Sequence, residues 1–206
     1  FTARLAELAP AGDVLGVDAE PAMIALARQR EALPRLRFAV CRAQELDTVV
    51  PAGGRDLVVS VAMLHWVPAG EQPAVLAQVR RALRPGGAFR ADFGGHGQIA
   101  ATRELLDAEA IRHGGSPAPW YFPTVAEYTD VLRRGGFRIE PDGWVRLLRQ
   151  RRPLPDAASF LGWLGSQALV GYQPRVPAAA RPAFRQAAEQ RALAQLCRDD
   201  GSYDQD

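Results

Sequence analysis

A single carboxylate, Asp18, stands where an apolar run ends and a helical pattern begins, in the stretch VLGVDAEPAMIALAR from Val14 to Arg28. In parallel α/β folds, ligands bind at the carboxyl ends of the strands. An ionised aspartate only accepts hydrogen bonds, and the 2′,3′-diol of a ribose offers two donors. Aspartate also favours the N-cap of a helix, here the helix predicted to start near Pro21. The stretch alone therefore predicts either a ribose contact or a helix cap.

His65 and Trp66 follow the most strongly strand-like stretch of the chain, DLVVSV from Asp56 to Val61. A histidine just beyond a buried strand is a candidate general base, because its usual pKa lies close to neutral pH. The alternative is a turn histidine that packs on Trp66. The sequence leaves both interpretations open.

An aromatic, proline-rich loop, SPAPWYFP, carries Trp120, Tyr121 and Phe122. Aromatic rings pack favourably against cations, so this loop could cover a positively charged ligand. The alternative is an apolar anchor for the helix that follows.

A run of arginines lies further along the chain, at Arg146, Arg149, Arg151 and Arg152. Arginine pairs bidentately with carboxylates, so Arg146 is a candidate ligand of an anionic substrate. The alternative is the solvated edge of a strand. Because no basic face spans the rest of the chain, we expect no nucleic-acid partner.

The composition is that of an ordinary globular protein, with 206 residues, 48% apolar and 23% charged residues, and a net charge of +2. The two cysteines, Cys41 and Cys197, are far apart, and the three histidines have no metal-ligand spacing. We therefore predict neither a disulfide nor a metal site. No apolar run reaches the roughly 18 residues of a membrane span, so we predict a cytoplasmic protein without a membrane partner.

The first half of the chain alternates strand and helix patterns, which predicts parallel βαβ units. Strands are expected at residues 14–17, 36–40, 56–61 and 88–93, and the run DLVVSV at 56–61 is typical of a parallel strand buried on both faces. Helices are expected at residues 2–9, from Pro21 onward, at 71–83 and at 99–112. The sequence LRPGG is predicted to end the third helix in a structural turn.

The second half has a different character. Thr124 and Glu127 fit a capping box that starts a helix ending at Gly135 and Gly136. Strands are expected at 137–140 and 144–148, and helices at 156–170 and 178–197. The tail DDGSYDQD has no predicted partner. We divide the chain into a core, residues 1–115, and a substrate-side lid, residues 116–206.

Several of these stretches together resemble one family. GVDAEPAMIALAR, FAVCRAQEL, DLVVSVAMLHWV and LRPGGAF occur in the order and spacing of class I S-adenosylmethionine-dependent methyltransferases, and YFPTVAEYTDVLRRGGF and FLGWL are similar to the trans-aconitate methyltransferase group. The resemblance implies a Rossmann-like sheet with helices on both faces and a C-terminal helical lid. It also implies methyl transfer from S-adenosylmethionine to a small molecule, with a carboxylic acid as one acceptor class.

The resemblance assigns residues to the cofactor. They are Asp18 on the ribose, Ala19 and Met23 along the adenosine, Arg42, Ala43 and Gln44 near the adenine, and Ser60 and Val61 along the methionine part. Arg42 stands where the family usually has an aspartate. Gln44 is therefore predicted to accept the hydrogen bond from the exocyclic amine of adenine instead. The backbone near Ala43 is expected to face the base.

On the substrate side, the resemblance places His65 and Trp66 beneath the transferred methyl group. Trp66, Trp120, Tyr121 and Arg146 are the predicted substrate contacts, and His65 is the candidate catalytic residue. Methyl transfer to a carboxylate needs no base, because that nucleophile is already ionised. In-line alignment of the nucleophile, the methyl group and the sulfur can then supply most of the rate.

Two further expectations follow from the resemblance. The family's first strand, with its Gly-rich turn, would lie between the strands at residues 14–17 and 56–61, and its last strand would lie between those at 88–93 and 137–140; both are expected outside this sequence. Two alternatives to the methyltransferase remain, a nicotinamide-dependent oxidoreductase and a non-catalytic relative that binds a partner through its helical tail. We expect a monomer or a weak dimer.

Overall fold

The computed structural model describes residues 1–30, 33–139, 143–149 and 152–204. The chain forms two compact units. Unit 1 comprises Phe1–Val61, Ala69–Asp92 and Asp130–Glu140, and unit 2 comprises Ala62–Pro68, Phe93–Thr129 and Pro141–Asp206. The division of the sequence at residue 115 stays a prediction.

Unit 1 has the predicted alternation of strands and helices. Its elements are α1 (Thr2–Leu8), β1 (Val14–Asp18), α2 (Pro21–Arg30), β2 (Leu36–Val40), β3 (Arg55–Val61), α3 (Gln72–Ala82) and β4 (Leu83–Asp92). β1 pairs in parallel with β2, and β3 pairs in parallel with β4. Within the described ranges, no ladder joins β1 to β3. The predicted parallel units are therefore present, as two two-stranded sheets.

The strands of unit 1 are less buried than their sequences predict. Val17 is 38% exposed, and Leu57 and Val61 are about half exposed. The physical reason is that, within the described ranges, each strand is paired along one edge only, whereas an apolar run such as that of β3 is typical of an interior strand. The buried stripe of α3, formed by Val75, Leu76, Val79 and Ala82, supplies much of this unit's core.

The sequence LRPGG departs in part from the prediction. α3 does end at Ala82, as expected, but β4 begins at once with Leu83. The register against β3 shifts between Arg55 and Leu57, so the Pro-Gly-Gly segment forms an irregularity within the ladder. Gly86 has φ +78°, a left-handed conformation that glycine adopts without steric cost.

Unit 2 is predominantly helical. Its elements are α4 (Ala100–Arg112), the start of α5 (Val125–Arg134), β5 (Pro153–Leu154), α6 (Ala157–Trp163), α7 (Arg181–Gln195) and β6 (Tyr203–Asp204). A π turn at Leu164–Ala168 continues α6. The core packs around Leu106, Phe160, Tyr172 and Phe184. None of the helices in the described ranges is long and apolar enough to cross a bilayer.

The predicted capping box starts α5. Thr124 N–H donates to Glu127 Oε2 at 2.7 Å, and Glu127 N–H donates to Thr124 Oγ1 at 3.2 Å. These hydrogen bonds, with the backbone contribution largest, lower the pKa of the Glu127 carboxyl below its usual value.

Three predictions for the second half are wrong. Residues 137–139 and 144–148 join no ladder, and Glu140 lies outside the described residues. Their apolar groups have other surroundings: the Phe137 ring lies 5.6 Å from that of Phe89, and Trp144 is 54% exposed. The tail does have a partner, since Tyr203 pairs with Leu154 and stacks on Phe160 with a centroid distance of 4.4 Å.

Candidate functional site

Asp18 lies at the carboxyl end of β1, exposed to solvent, as the sequence predicts. Its Oδ1 accepts a hydrogen bond from Glu20 N–H at 2.8 Å. The cap of α2 is Glu20 instead, whose Oε1 accepts from Ala22 N–H at 3.2 Å. No hydrogen bond to Asp18 Oδ2 occurs within the described ranges. The structure thus decides against the N-cap alternative and leaves Asp18 able to accept from a ligand.

The end of β2 lies beside Asp18 because the parallel register pairs Asp18 with Val40. Cys41 N–H donates to Asp18 O at 2.8 Å and fixes the start of the following turn. That turn carries three of the predicted cofactor residues, Arg42, Ala43 and Gln44. The structure therefore brings the predicted ribose and adenine contacts to one edge of one sheet.

Glu71, which sequence reasoning missed, contacts the turn that follows β2. Gln44 Nε2 donates to Glu71 Oε2 at 2.5 Å, and an Arg42 Nη lies 3.8 Å from the same oxygen. Glu71 precedes α3, 27 residues beyond Gln44. The sequence shows only an acidic residue before a helix, so no local signal points to the end of β2.

The last two residues of β3, Ser60 and Val61, belong to the predicted cofactor set. Ser60 Oγ is buried and has no hydrogen-bond partner among the described residues. Ala62, the next residue after β3, has φ +53°, which is strained for a residue with a Cβ. The exposed Ala19 and Met23 complete the predicted set on unit 1.

The polar groups of unit 1 fit S-adenosylmethionine chemically. Asp18 and Glu71 carry carboxylate oxygens, which are acceptors suited to the hydroxyl and amine donors of such a ligand. The unpartnered Ser60 hydroxyl can hydrogen-bond the amino-acid part of the cofactor. An orphaned buried hydroxyl is rare in a native protein, which is consistent with a ligand contact there.

His65 lies in unit 2, in a 3₁₀ turn at Leu64–Trp66. Its Nδ1 accepts a hydrogen bond from Gly94 N–H at 3.1 Å. The ring stacks on Phe122 at 5.6 Å and also lies 5.6 Å from Trp66. Burial lowers the pKa of His65 to about 4. The side chain is therefore a neutral imidazole with its proton on Nε2.

This geometry does not favour His65 as a general base. A neutral imidazole takes up a proton at its unprotonated nitrogen, which here is Nδ1, and the Gly94 N–H already occupies that nitrogen. Nε2–H remains as a hydrogen-bond donor. His65 is thus suited to hold an acceptor oxygen.

Trp66, Trp120 and Phe122 lie around His65 and form an aromatic cluster with it. Tyr121 N–H donates to His65 O at 3.0 Å. Trp120 is 5% exposed and packs edge-on against Trp66 at 5.6 Å. The Trp120 indole N–H is buried without a hydrogen-bond partner in the part of the chain that the structure describes.

We expect Gly171→Ala to disturb the aromatic cluster. A Cβ at position 171 would lie 2.6 Å from Cζ2 of Trp120, so the indole must move. Overpacking of this kind costs about 1–3 kcal/mol, which a denaturant titration would measure. Gly162→Ala is the matched control, because nothing lies within 4 Å of its Cβ position. Equal stabilities of the two variants would contradict the packing described here.

The predicted substrate arginine has a different environment. The Arg146 guanidinium lies over the Trp144 ring, 3.7 Å from its centroid, and both residues are exposed. Arg151 lies outside the described residues. Arg146 therefore stays a prediction without support from the aromatic cluster.

Arg103, on the first turn of α4, places a positive charge beside the aromatic cluster. Its Cζ lies 6.0 Å from the Phe122 centroid, and its Nε lies 3.5 Å from Asp107 Oδ2. Asp107 is itself fixed, because Tyr172 OH donates to Oδ1 at 2.6 Å. The Arg103 side chain is about one-third exposed. Sequence reasoning missed it because α4 carries several charged residues without a distinguishing pattern.

Comparison with known proteins identifies the family. Residues 1–87 match the family model described as a methyltransferase domain. The chain is 33% identical to a trans-aconitate 2-methyltransferase of Deinococcus radiodurans over 193 residues, which covers 86% of this chain and 68% of the relative. It is 30% identical to the trans-aconitate 2-methyltransferase of Variovorax paradoxus, covering 86% of this chain and 67% of the relative.

A solved structure shows the same fold. A putative methyltransferase from Bacillus halodurans has a TM-score of 0.59 at 12% identity, covering 98% of this chain and 83% of the other. The chain belongs to the class I S-adenosylmethionine-dependent methyltransferases, and its cofactor is S-adenosylmethionine. The Rossmann-like fold class is confirmed, and the nicotinamide alternative is not supported.

Proposed function

We propose that this enzyme methylates a carboxylate oxygen of a small polycarboxylic acid. The observation that carries the proposal is the neutral His65, whose Nδ1 is occupied by the Gly94 N–H. With no base at that position, the acceptor should arrive already ionised, and a carboxylate is ionised at neutral pH. Trans-aconitate, the compound named in the relatives, is an acid of this class.

The cofactor supplies an electrophilic methyl group on a positively charged sulfur. When it is bound, Asp18 would accept from the ribose hydroxyls, Ala19 and Met23 would lie along the adenosine, the backbone at Ala43 would face the adenine, and Ser60 and Val61 would lie along the methionine part. Holding both reactants in line can supply most of the rate enhancement.

On the acceptor side, we propose that Arg103 binds a substrate carboxylate. Its Nε is directed to Asp107, and a guanidinium carries four further N–H donors in a fixed fork. His65 Nε2–H can donate to a second substrate oxygen, and Trp66, Trp120 and Tyr121 exclude water. The chain as a whole is proposed to act on a small molecule as a monomer or weak dimer in the cytoplasm.

The test is to locate the transferred methyl group. The protein is incubated with S-adenosylmethionine labelled in its methyl group and with trans-aconitate, a saturated tricarboxylic acid, a monocarboxylic acid, a phenol or an amine. Mass spectrometry should show a monomethyl ester, labile in alkali, with the polycarboxylic acids turned over fastest. Label on the phenol or amine, with none on the acids, would overturn the proposal.

A further inference from the structure

Glu71 is placed as a helix cap but does not act as one. It occupies the residue before α3, and its side chain makes no capping hydrogen bond. The carboxylate contacts the turn after β2 instead, at Gln44 and Arg42. A side chain that leaves its own helix end for another element indicates a role at that element.

The hydrogen bond to Gln44 fixes how the cluster is arranged. A carboxylate only accepts, so Gln44 must present its amide N–H to Glu71 Oε2. Arg42 lies near the same oxygen. Oε1 accepts no hydrogen bond from the described residues, and the Glu71 side chain is 46% exposed. One carboxylate oxygen is thus held by protein and the other is available to a ligand.

We propose that Glu71 recognises the exocyclic amine of the cofactor's adenine and that Gln44 is its positioning residue. The inference rests on the cofactor assignment and on the ribose contact proposed for Asp18, and it is independent of the acceptor. Asp18 and Val40 are partners in the β1–β2 register, so a ribose at Asp18 brings the base toward the turn at Arg42. The amine of adenine is a donor, which matches the accept-only oxygen of Glu71.

This assignment replaces Gln44 as the predicted acceptor of the amine. Gln44 now acts through Glu71, by holding one of its two oxygens. A carboxylate at Glu71 also makes the site prefer adenine over hypoxanthine, because hypoxanthine carries a carbonyl where adenine carries the amine. A carboxylate facing that carbonyl would leave two acceptors opposed.

Calorimetric binding of S-adenosylhomocysteine and S-inosylhomocysteine tests the proposal without any turnover. The unmodified protein should prefer the adenosyl compound. In Glu71→Gln, whose amide can also donate, adenosyl affinity should fall about tenfold, the lower end expected for one charge-assisted hydrogen bond. Inosyl affinity should stay unchanged or rise, so the ratio of the two affinities should fall at least tenfold.

Glu45→Gln is the matched control, because Glu45 lies exposed on the same turn as Gln44. It should leave the ratio within about twofold, the usual range for a surface substitution of about ±0.5 kcal/mol. Arg42→Asp, added to Glu71→Gln, should restore part of the adenosyl preference by returning a carboxylate to the cluster. An unchanged ratio in Glu71→Gln, including an equal loss of affinity for both compounds, would overturn the proposal. The absence of an adenosyl preference in the unmodified protein would also overturn it.

Discussion

Asp18→Ala should weaken the binding of S-adenosylmethionine by about 10- to 150-fold, measured by calorimetry. The carboxylate is expected to accept hydrogen bonds from two ribose hydroxyls, and each charge-assisted bond contributes about 1.5–3 kcal/mol. Half of that total, about 1.5–3 kcal/mol, corresponds to this loss of affinity. The stability of the protein without cofactor should change little, because the cap of α2 is Glu20.

Glu20→Ala provides the reciprocal control. It removes the carboxylate that accepts from Ala22 N–H but keeps the Glu20 backbone N–H that donates to Asp18. Loss of a helix cap costs about 1 kcal/mol, so the melting temperature should fall while the dissociation constant stays within about twofold. The opposite pattern, with Asp18→Ala destabilised and its affinity unchanged, would contradict the ribose assignment.

Arg103→Met should lower kcat/KM for a polycarboxylic acid by about 30-fold or more, because a charge-assisted interaction with a carboxylate is lost. Methionine retains an unbranched apolar side chain beside Phe122, which limits the packing defect. The loss should be much smaller for a monocarboxylic acid, whose only carboxylate is the methyl acceptor. Steady-state kinetics with both substrates would measure the difference.

Arg146→Met is the matched control for Arg103. Its guanidinium lies over the exposed Trp144, so kcat/KM should stay within about twofold, as for an ordinary surface substitution. A large loss in Arg146→Met with none in Arg103→Met would indicate that Arg146, and not Arg103, binds the substrate carboxylate. Equal losses for both acids in Arg103→Met would point to a structural role for its ion pair with Asp107.

The features that the sequence predicts well are those with a local cause. Thr124 and Glu127 are three residues apart, and their capping box forms as expected. Asp18 follows a strand and lies at its end. These signals need only neighbouring residues, so they persist whatever the rest of the chain does.

The features that were missed depend on contacts between distant residues. Glu71 meets Gln44 across 27 residues, and Tyr172 holds Asp107, the partner of Arg103, across 65. Tyr203 in the tail stacks on Phe160 and pairs with Leu154 in a ladder. The expected strand at 144–148 fails for the same reason, since an apolar pattern forms a strand only where another strand offers backbone groups.

We expect the methyl acceptor to be already ionised and His65 to take no proton from it. The most direct measurement is the pH profile of kcat/KM for trans-aconitate, in the unmodified protein and in His65→Gln. Because burial lowers the pKa of His65 to about 4, the imidazole stays neutral above that range, and the profile should show no inflection near the usual histidine value of about 6.5. His65→Gln should remain within about tenfold of the unmodified protein, less than the loss of a general base would cause. An acid limb near pH 6.5 that disappears in His65→Gln, with a loss of about 10²–10⁴-fold and intact cofactor binding, would contradict the claim.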